Sequence, residues 1–299
     1  MQDVAVLVAD LVKPPPSSTH SAGKRGPTSN KYALELDGRH CGWLTDLAGA
    51  IAVGELGAAS RFEELTLRSW PGMPRGFYQW VARSFAAEPH GADGLLQLAD
   101  DDFRELSRLR WSGGVVTEFA TTAIDLVAVE ATKIVLKFSP RTTQRGEPSR
   151  ISPPELSGPA LDTRWPSSSG LPTLQIDGLE EACCGLKRIE GLSIRQRVRR
   201  APGRCEREGG VTVGPLVVTL AEVKAQGFVR WLEACEAGRS NGRAGSLVIG
   251  AASVGFTVGL QGLRPVRIDE VPGSGDERRR DVRVELAARD VAFALAQGK

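Results

Sequence analysis

A short stretch of the sequence, residues 215–236, contains a strand, a turn and an amphipathic helix in direct succession. Residues 216–220 are apolar and largely β-branched, which is typical of a buried strand. After a turn, apolar residues recur at the spacing of one helix face: Phe228, Trp231, Leu232 and Cys235. A chain with this stretch must bury one helix face against a sheet.

The same pattern occurs earlier, in residues 64–85. Residues 65–67 match residues 218–220, and residues 76–81 match residues 227–232 at their Gly, Phe, Trp and final aliphatic positions. Aromatic residues on such a helix face are usually core residues. We therefore predict four structural core residues: Phe77, Trp80, Phe228 and Trp231.

A second pair of related segments lies upstream of these two modules. Residues 33–38 and 173–178 each alternate apolar and polar residues and end in Asp-Gly, which predicts a strand followed by a tight turn. The two copies are about 140 to 150 residues apart, which is the length of a domain and not of a solenoid repeat. The 299 residues are therefore predicted to form two domains by duplication.

Composition sets the predicted domain boundaries. Residues 13–30 are rich in Pro, Ser, Gly and Lys, and residues 1–30 are predicted to be a flexible N-terminal arm. The first domain is predicted at 31–140, with an insertion at 88–114 in which Asp100 caps a short helix. Residues 141–170 form a proline-rich linker, which we expect to be protease-sensitive and to separate two independently folded halves. The second domain is predicted at 171–299.

Charge and cysteine content exclude several classes of protein. The formal net charge of +2 provides no global attraction to nucleic acid or acidic membranes, and the apolar N-terminal run at 4–9 is too short to span a bilayer. Five cysteines without a C-x-x-C pair favour buried, reduced thiols over a zinc site or a secreted disulfide framework.

No catalytic pattern is present in the sequence. The three histidines lack a supporting motif, and no phosphate-binding loop is found. Acidic residues 100–102 fit the first turn of a helix better than a metal site. We predict no enzymatic activity, no catalytic residue, no metal and no cofactor, and a hydrolase with an unrecognised site is the third hypothesis considered.

Arginines are concentrated in residues 188–207. On a strand, alternate residues share one face, so a candidate interface is predicted at Arg195, Arg197, Arg199 and Arg200. Such a face can meet phosphates or an acidic protein. No aromatic residue interleaves the arginines, and glutamates at 190, 206 and 208 dilute the charge, so a solvated or inter-subunit face is favoured over nucleic-acid recognition.

This series of elements resembles the tail-tube fold of contractile phage tails, extracellular contractile injection systems and type VI secretion. In this sequence the series comprises an alternating strand ending in Asp-Gly, a glycine bend, a strand, a turn, a Trp-bearing helix and closing strands. The similar segments are residues 31–50, 61–85 and 133–138 in the first half and 191–293 in the second. The resemblance implies a β-rich α+β chain with two tandem tail-tube-like β-barrel domains, each with one amphipathic helix on the barrel.

The resemblance also implies a function and partners. A chain with two such barrels is expected to be a structural tube or baseplate-hub adaptor ring that joins tube to spike. Three chains would form a pseudo-hexameric ring, or six a hexamer, in contact with tube, baseplate or spike proteins. We expect the cytoplasm during assembly, then a virion tail or injection particle, without membrane insertion and with nucleic acid only as cargo in the lumen. The alternative is a nucleic-acid-binding or regulatory two-barrel protein that uses the arginine surface.

Overall fold

The computed structural model of the chain describes residues 31–49, 52–53, 61–62, 64–100, 104–127, 132–146, 172–201, 204–249, 256–272 and 280–295. The predicted N-terminal arm and most of the predicted linker lie outside the described residues. Within them the chain is rich in β-strand, has few helices and forms a curled sheet with the shape of half a barrel. No helix among the described residues is long and apolar enough to cross a membrane.

Residues 31–146 are called the first half here. Its elements are β1 (Lys31–Leu36), β2 (Arg39–Leu44), β3 (Asp46–Ala48), β4 (Ala52–Val53), β5 (Arg61–Phe62), β6 (Leu65–Ser69), α1 (Arg75–Ser84), β7 (Ala92–Ala99), β8 (Glu105–Thr121), β9 (Ile124–Asp125), β10 (Ile134–Ser139) and β11 (Thr142–Gly146). Antiparallel pairing gives the order β2-β1-β7-β8-β10-β6-β3, and β11 also pairs with β8. β4 and β5 form a separate two-stranded sheet.

Residues 172–295 are called the second half. Its elements are β12 (Thr173–Ile176), α2 (Glu180–Cys183), β13 (Leu186–Ile189), β14 (Ser193–Ala201), β15 (Arg204–Val213), β16 (Leu216–Ala221), a 3-10 turn (Glu222–Lys224), α3 (Gln226–Glu236), β17 (Arg243–Ile249), β18 (Phe256–Pro272), β19 (Arg280–Ala287) and β20 (Asp290–Leu295). The strand order is β12-β17-β18-β19-β16-β13-β9, and β20 also pairs with β18.

The two halves use the same pairing order. The path β1-β7-β8-β10-β6-β3 corresponds strand by strand to β12-β17-β18-β19-β16-β13. β11 lies on β8 as β20 lies on β18. The predicted Asp-Gly turns are also equivalent, since Gly38 and Gly178 adopt φ values of 74° and 71° in the left-handed region that favours glycine.

Irregularities in the ladders recur at the same places. The β8–β10 ladder shifts register beside Phe138, and the β18–β19 ladder shifts beside Leu286. Phe138 pairs with Leu65 and Leu286 pairs with Leu216, so these shifts align Leu65 with Leu216. The sequence comparison matched Leu65 with Val218, and that alignment is wrong by two residues.

A glycine bends each long central strand. Gly113 in β8 has φ 53° and Gly262 in β18 has φ 63°, and an L side chain is strained in this region. In both halves an arginine lies against the bend, because a Cβ on the glycine would meet Arg141 at 3.4 Å or Arg289 at 3.0 Å. Each long strand therefore bends at its glycine, and it pairs with different strands before and after the bend.

The helices cover the sheets with the predicted aromatic residues. Phe77, Trp80 and Phe228 are fully buried, and Trp231 is 2% exposed. The indole N–H of Trp80 donates to the carbonyl of Gly114 at 2.7 Å. The indole nitrogen of Trp231 is buried and has no acceptor among the described residues, while the guanidinium of Arg243 lies 5.0 Å from the centre of its ring.

Residues 88–114 are an integral part of the first sheet, so the prediction of an inserted segment is wrong. They contain β7 and the start of β8, which occupy the places of β17 and β18 in the second half. The predicted short helix is also wrong, because buried Leu109 and Trp111 alternate with exposed or half-buried residues at a strand period. Asp100 accepts a hydrogen bond from the backbone N–H of Arg104 at 2.8 Å and so links the ends of β7 and β8.

The halves share one core, which corrects the prediction of independent folding. Two ladders cross between them: β9 pairs with β13, and β14 pairs with β8. Aromatic contacts also cross, with ring centres 4.5 Å apart for Tyr78 and Phe256 and 5.0 Å apart for Phe85 and Phe293. The start of the predicted linker, Thr142–Gly146, is strand β11.

The continuous core leads to a prediction about both tryptophans. Replacing Trp80 or Trp231 with Ala should lower the free energy of unfolding by about 3 to 5 kcal/mol, because each change leaves a large cavity. Urea denaturation followed by circular dichroism should show one transition, since the halves share buried residues. Trp70→Ala, at a half-buried position, is the control, and a transition that splits in two would contradict the shared core.

Candidate interface

The hairpin of β14 and β15 joins the second half to the first. Ser193, Ile194 and Arg195 pair with Ala120, Phe119 and Glu118 of β8. Just before the hairpin, a Cβ on Gly191 would lie 2.2 Å from the carbonyl oxygen of Thr121, so only glycine allows this approach of the two backbones. β14 therefore extends the sheet of the first half.

The predicted arginines lie on this hairpin. Arg195, Arg197 and Arg199 are exposed and alternate along β14 with the buried Gln196 and the half-buried Val198. The backbone of Arg200 pairs with Cys205, and its side chain lies outside the described part.

Acidic residues neutralise two of the three exposed arginines. Arg195 lies 2.9 Å from a carboxylate oxygen of Glu118, and Arg199 lies 3.1 Å from Glu206 and 3.8 Å from Glu208. Exposed ion pairs contribute little to stability, but they remove free positive charge from the surface. Within the described residues, this surface is therefore a poor match for a phosphate backbone.

Glu118 forms ion pairs with cations on both strands that flank it, β14 and β10. Its side chain accepts hydrogen bonds from Arg195 on β14 and forms an ion pair with Lys137 on β10 at 2.8 Å. Burial raises the pKa of Glu118, but hydrogen bonds from Lys137 and Arg195 outweigh this effect, so the pKa lies below its ordinary value. The carboxylate stays charged between its two cations.

Two residues that the sequence analysis did not select form the main polar contact between the halves. The side-chain N–H groups of Gln196 donate to the carbonyls of Ser84 at 2.7 Å and Val116 at 2.6 Å. The side-chain oxygen of Gln196 accepts from Arg207 at 2.9 Å. One signal for Gln196 was available, because it is the polar residue between two apolar residues on the inward face of β14.

Arg207 caps the end of α1. Its guanidinium donates to the carbonyls of Phe85 at 2.8 Å and Ala86 at 2.6 Å. Carbonyls at the end of a helix lack helical partners and carry partial negative charge, so a cation there is favourable. Burial lowers the pKa of Arg207 from its ordinary value, and the guanidinium is fixed between Gln196 and the helix end.

A cleft of about 1040 Å³ lies beside this contact, between the hairpin and the bend of β8. Its walls include Asp93, Gly113 and Arg141 of the first half and Cys205 and Arg207 of the hairpin. Asp93 accepts a hydrogen bond from the backbone N–H of Gly113 at 2.8 Å. The carboxylate thus belongs to the structure of the bend.

The second half has a cleft of about 540 Å³ at the equivalent bend, lined by Gly262, Arg264 and Arg289. Ala244 stands at the place of Asp93, so this bend has no carboxylate at that place. Among the described residues, none from the hairpin of β14 and β15 lines this second cleft. The bend of β8 thus has a carboxylate and lies beside the hairpin, whereas the bend of β18 has an alanine in place of the carboxylate.

The described residues contain no group of three or more His, Cys, Asp or Glu side chains placed to hold a metal ion. Burial raises the pKa of Cys41 and of Cys183 to about 11, so both thiols are neutral near pH 7 and are weak nucleophiles. These two thiols therefore serve as small apolar core residues.

No protein-family model matches the chain. No curated protein sequence matches it. A solved structure similar to part of the chain is the cryo-EM structure of the anti-feeding prophage (AFP) baseplate, six-fold symmetrised, with 17% sequence identity and a TM-score of 0.29. The matched region covers 41% of this chain and 90% of that chain.

The contact of Gln196 with both carbonyls leads to a stability prediction. Gln196→Met keeps the size of the side chain but leaves two buried carbonyls without their donor, so the free energy of unfolding should fall by about 1 to 3 kcal/mol. Urea denaturation measures the change. Gln175→Met, at an exposed position on β12, is the control, and equal stability of the two variants would show that the Gln196 contact is unimportant.

The pKa of Glu118 leads to a prediction about acid. Because its pKa is lowered by folding, its contribution to stability is complete above the ordinary carboxyl pKa and is lost as the pH falls through the lowered value. The melting temperature of Glu118→Gln should therefore fall less than that of the parent when the pH is reduced below about 5. An unchanged acid response in Glu118→Gln, compared with Glu233→Gln at an exposed helix position, would contradict this role.

Proposed function

We propose that the chain is a non-enzymatic structural component of a phage-tail-like contractile injection apparatus. Its two halves act as tandem tube-like barrel domains in an adaptor ring at the tube or baseplate hub, between tube and spike. The repeated strand order of the two halves carries this proposal, because a ring of similar units needs the same surfaces to recur at each unit.

The junction between the halves supports the same function. β14 of the second half continues the sheet of the first half at β8, so two units already share a ladder within one chain. A ring built from such ladders would have a continuous sheet around its lumen, and its strand edges would be covered by neighbours. The chain would carry two of the units of this ring.

The paired arginines disfavour the alternative of a nucleic-acid-binding protein. Arg195 and Arg199 lie against carboxylates, and Arg207 is engaged with the end of α1. Nucleic acid enters the proposal only as cargo within the lumen.

Mass measurement tests the assembly. If a ring contains six barrels, three chains of 32.0 kDa close it and give about 96 kDa, whereas six chains give about 192 kDa. We expect the 96 kDa species in native mass spectrometry and a ring with six lobes in negative-stain images. A 192 kDa ring built from one domain of each chain would rule out the three-chain adaptor, and a protein that remains monomeric at every concentration, alone and with tube or spike proteins, would rule out the ring.

A further inference from the structure

The hairpin β14–β15 has an equivalent in the first half, the hairpin β4–β5. Ala52 and Val53 pair with Phe62 and Arg61, as Ile194 and Arg195 pair with Val213 and Thr212. The spacing from β3 to Ala52 equals the spacing from β13 to Ile194, when the strands are aligned by their pairing with β6 and β16. β4 therefore stands at the place of the part of β14 that pairs with β8.

The strand that receives β14 also has an equivalent. The register shifts align Val116 with Pro265 and Glu118 with Arg267, so residues 264–270 of β18 correspond to residues 115–121 of β8. In β8 this segment has β10 on one side and β14 on the other. In β18 it has β19 on one side, and no described strand pairs with the other side.

Burial differs sharply between these two segments. Residues 115–119 of β8 are all buried, and Thr117 is 6% exposed. The residue of β18 equivalent to Thr117 is Val266, which is 56% exposed and is one of four large hydrophobic side chains exposed in the described part of the chain. An apolar side chain beside a free strand edge is typical of a surface that pairs with another strand.

Each edge therefore lacks the partner that its equivalent has. β4 pairs only with β5 among the described strands, although the equivalent part of β14 also pairs with β8. None of the described strands covers residues 264–270 as β14 covers their equivalents on β8. Within one chain, the junction between the halves joins β14 to β8, and among the described strands it leaves β4 and residues 264–270 of β18 without the equivalent contact.

We infer that residues 264–270 of β18 are a docking surface for β4 of a second copy of this chain. The second copy adds its strand in the register of the internal junction, with Ala52 opposite Ile268 and Val53 opposite Arg267. The contact itself is derived from the strand registers. Only its consequence, a closed ring formed by repetition of this head-to-tail contact, rests on the proposed function. The surfaces joined are different on the two copies, so the contact is heterologous.

The register of this contact can be tested by crosslinking. In a chain with Cys184→Ser and Cys205→Ser, new cysteines from Val53→Cys and Arg267→Cys stand opposite each other in the inferred ladder and are within reach of a disulfide. Oxidation should give covalent multiples of 32.0 kDa on a non-reducing gel. The control pairs Ala52→Cys with Arg267→Cys, which places the two cysteines on opposite faces of the sheet.

The apolar contact can be tested by charge. Val266→Asp should reduce self-association at least tenfold, measured by analytical ultracentrifugation, because a carboxylate at this position would be covered by the docked strand. Val223→Asp, at a position 82% exposed on the 3-10 turn, is the matched control and should associate like the parent. Both variants should keep the parent's melting temperature as monomers, since both valines are exposed.

The outcomes separate this inference from the proposed function. Efficient crosslinking of the Val53 and Arg267 positions, together with dissociation of the Val266→Asp variant, supports the docking surface. A ring that forms without crosslinking and is insensitive to Val266→Asp overturns the surface while leaving the adaptor ring in place. Open chains of crosslinked copies support the surface but contradict the closed ring.

Discussion

The contact of Gln196 and Arg207 with the end of α1 determines how the two halves are arranged. One glutamine and one arginine satisfy four backbone carbonyls, at Ser84, Phe85, Ala86 and Val116, that belong to the other half of the chain. Buried carbonyls without donors are costly, so the hairpin β14–β15 cannot leave this place without a penalty in free energy. The helix end, the centre of β8 and the hairpin are therefore held together by hydrogen bonds. This contact lies beside the aromatic residues that pack between the halves.

The sequence predicted the parts of this structure that depend on local periodicity. Three features follow from spacing: the helix stripe with Trp231, the strand that ends just before Asp37, and the alternate arginines of β14. Side-chain direction repeats every 3.6 residues in a helix and every two in a strand, so spacing alone predicts them. Periodicity failed at the ladders. The register shifts in the ladders make Leu65 equivalent to Leu216, whereas the sequence pattern alone matches it with Val218. Such shifts depend on partner strands that are far away in the sequence.

The partners of Gln196 in the other half could not be predicted from the sequence, because they too are far away along the chain. Nothing near Gln196 in the chain indicates that Ser84 lies beside it, and a run of prolines between the halves suggested a spacer between separate cores. The sequence predicts a helix after Asp100 because acids before an apolar residue are typical of a helix start, and no local signal there distinguishes a helix from a strand. The pairing of β8 with four other strands decides in favour of a strand.

The junction of β8 with β14 lies within a single chain, and this determines how it responds to dilution. Its two sides are tethered by the polypeptide, so they meet at a fixed effective concentration that does not change with the amount of protein. A contact between separate copies, in contrast, follows mass action and is lost when the protein is dilute. In the proposed ring, half of the joints would therefore form as soon as each chain folds, and the concentration of the protein would control only the other half.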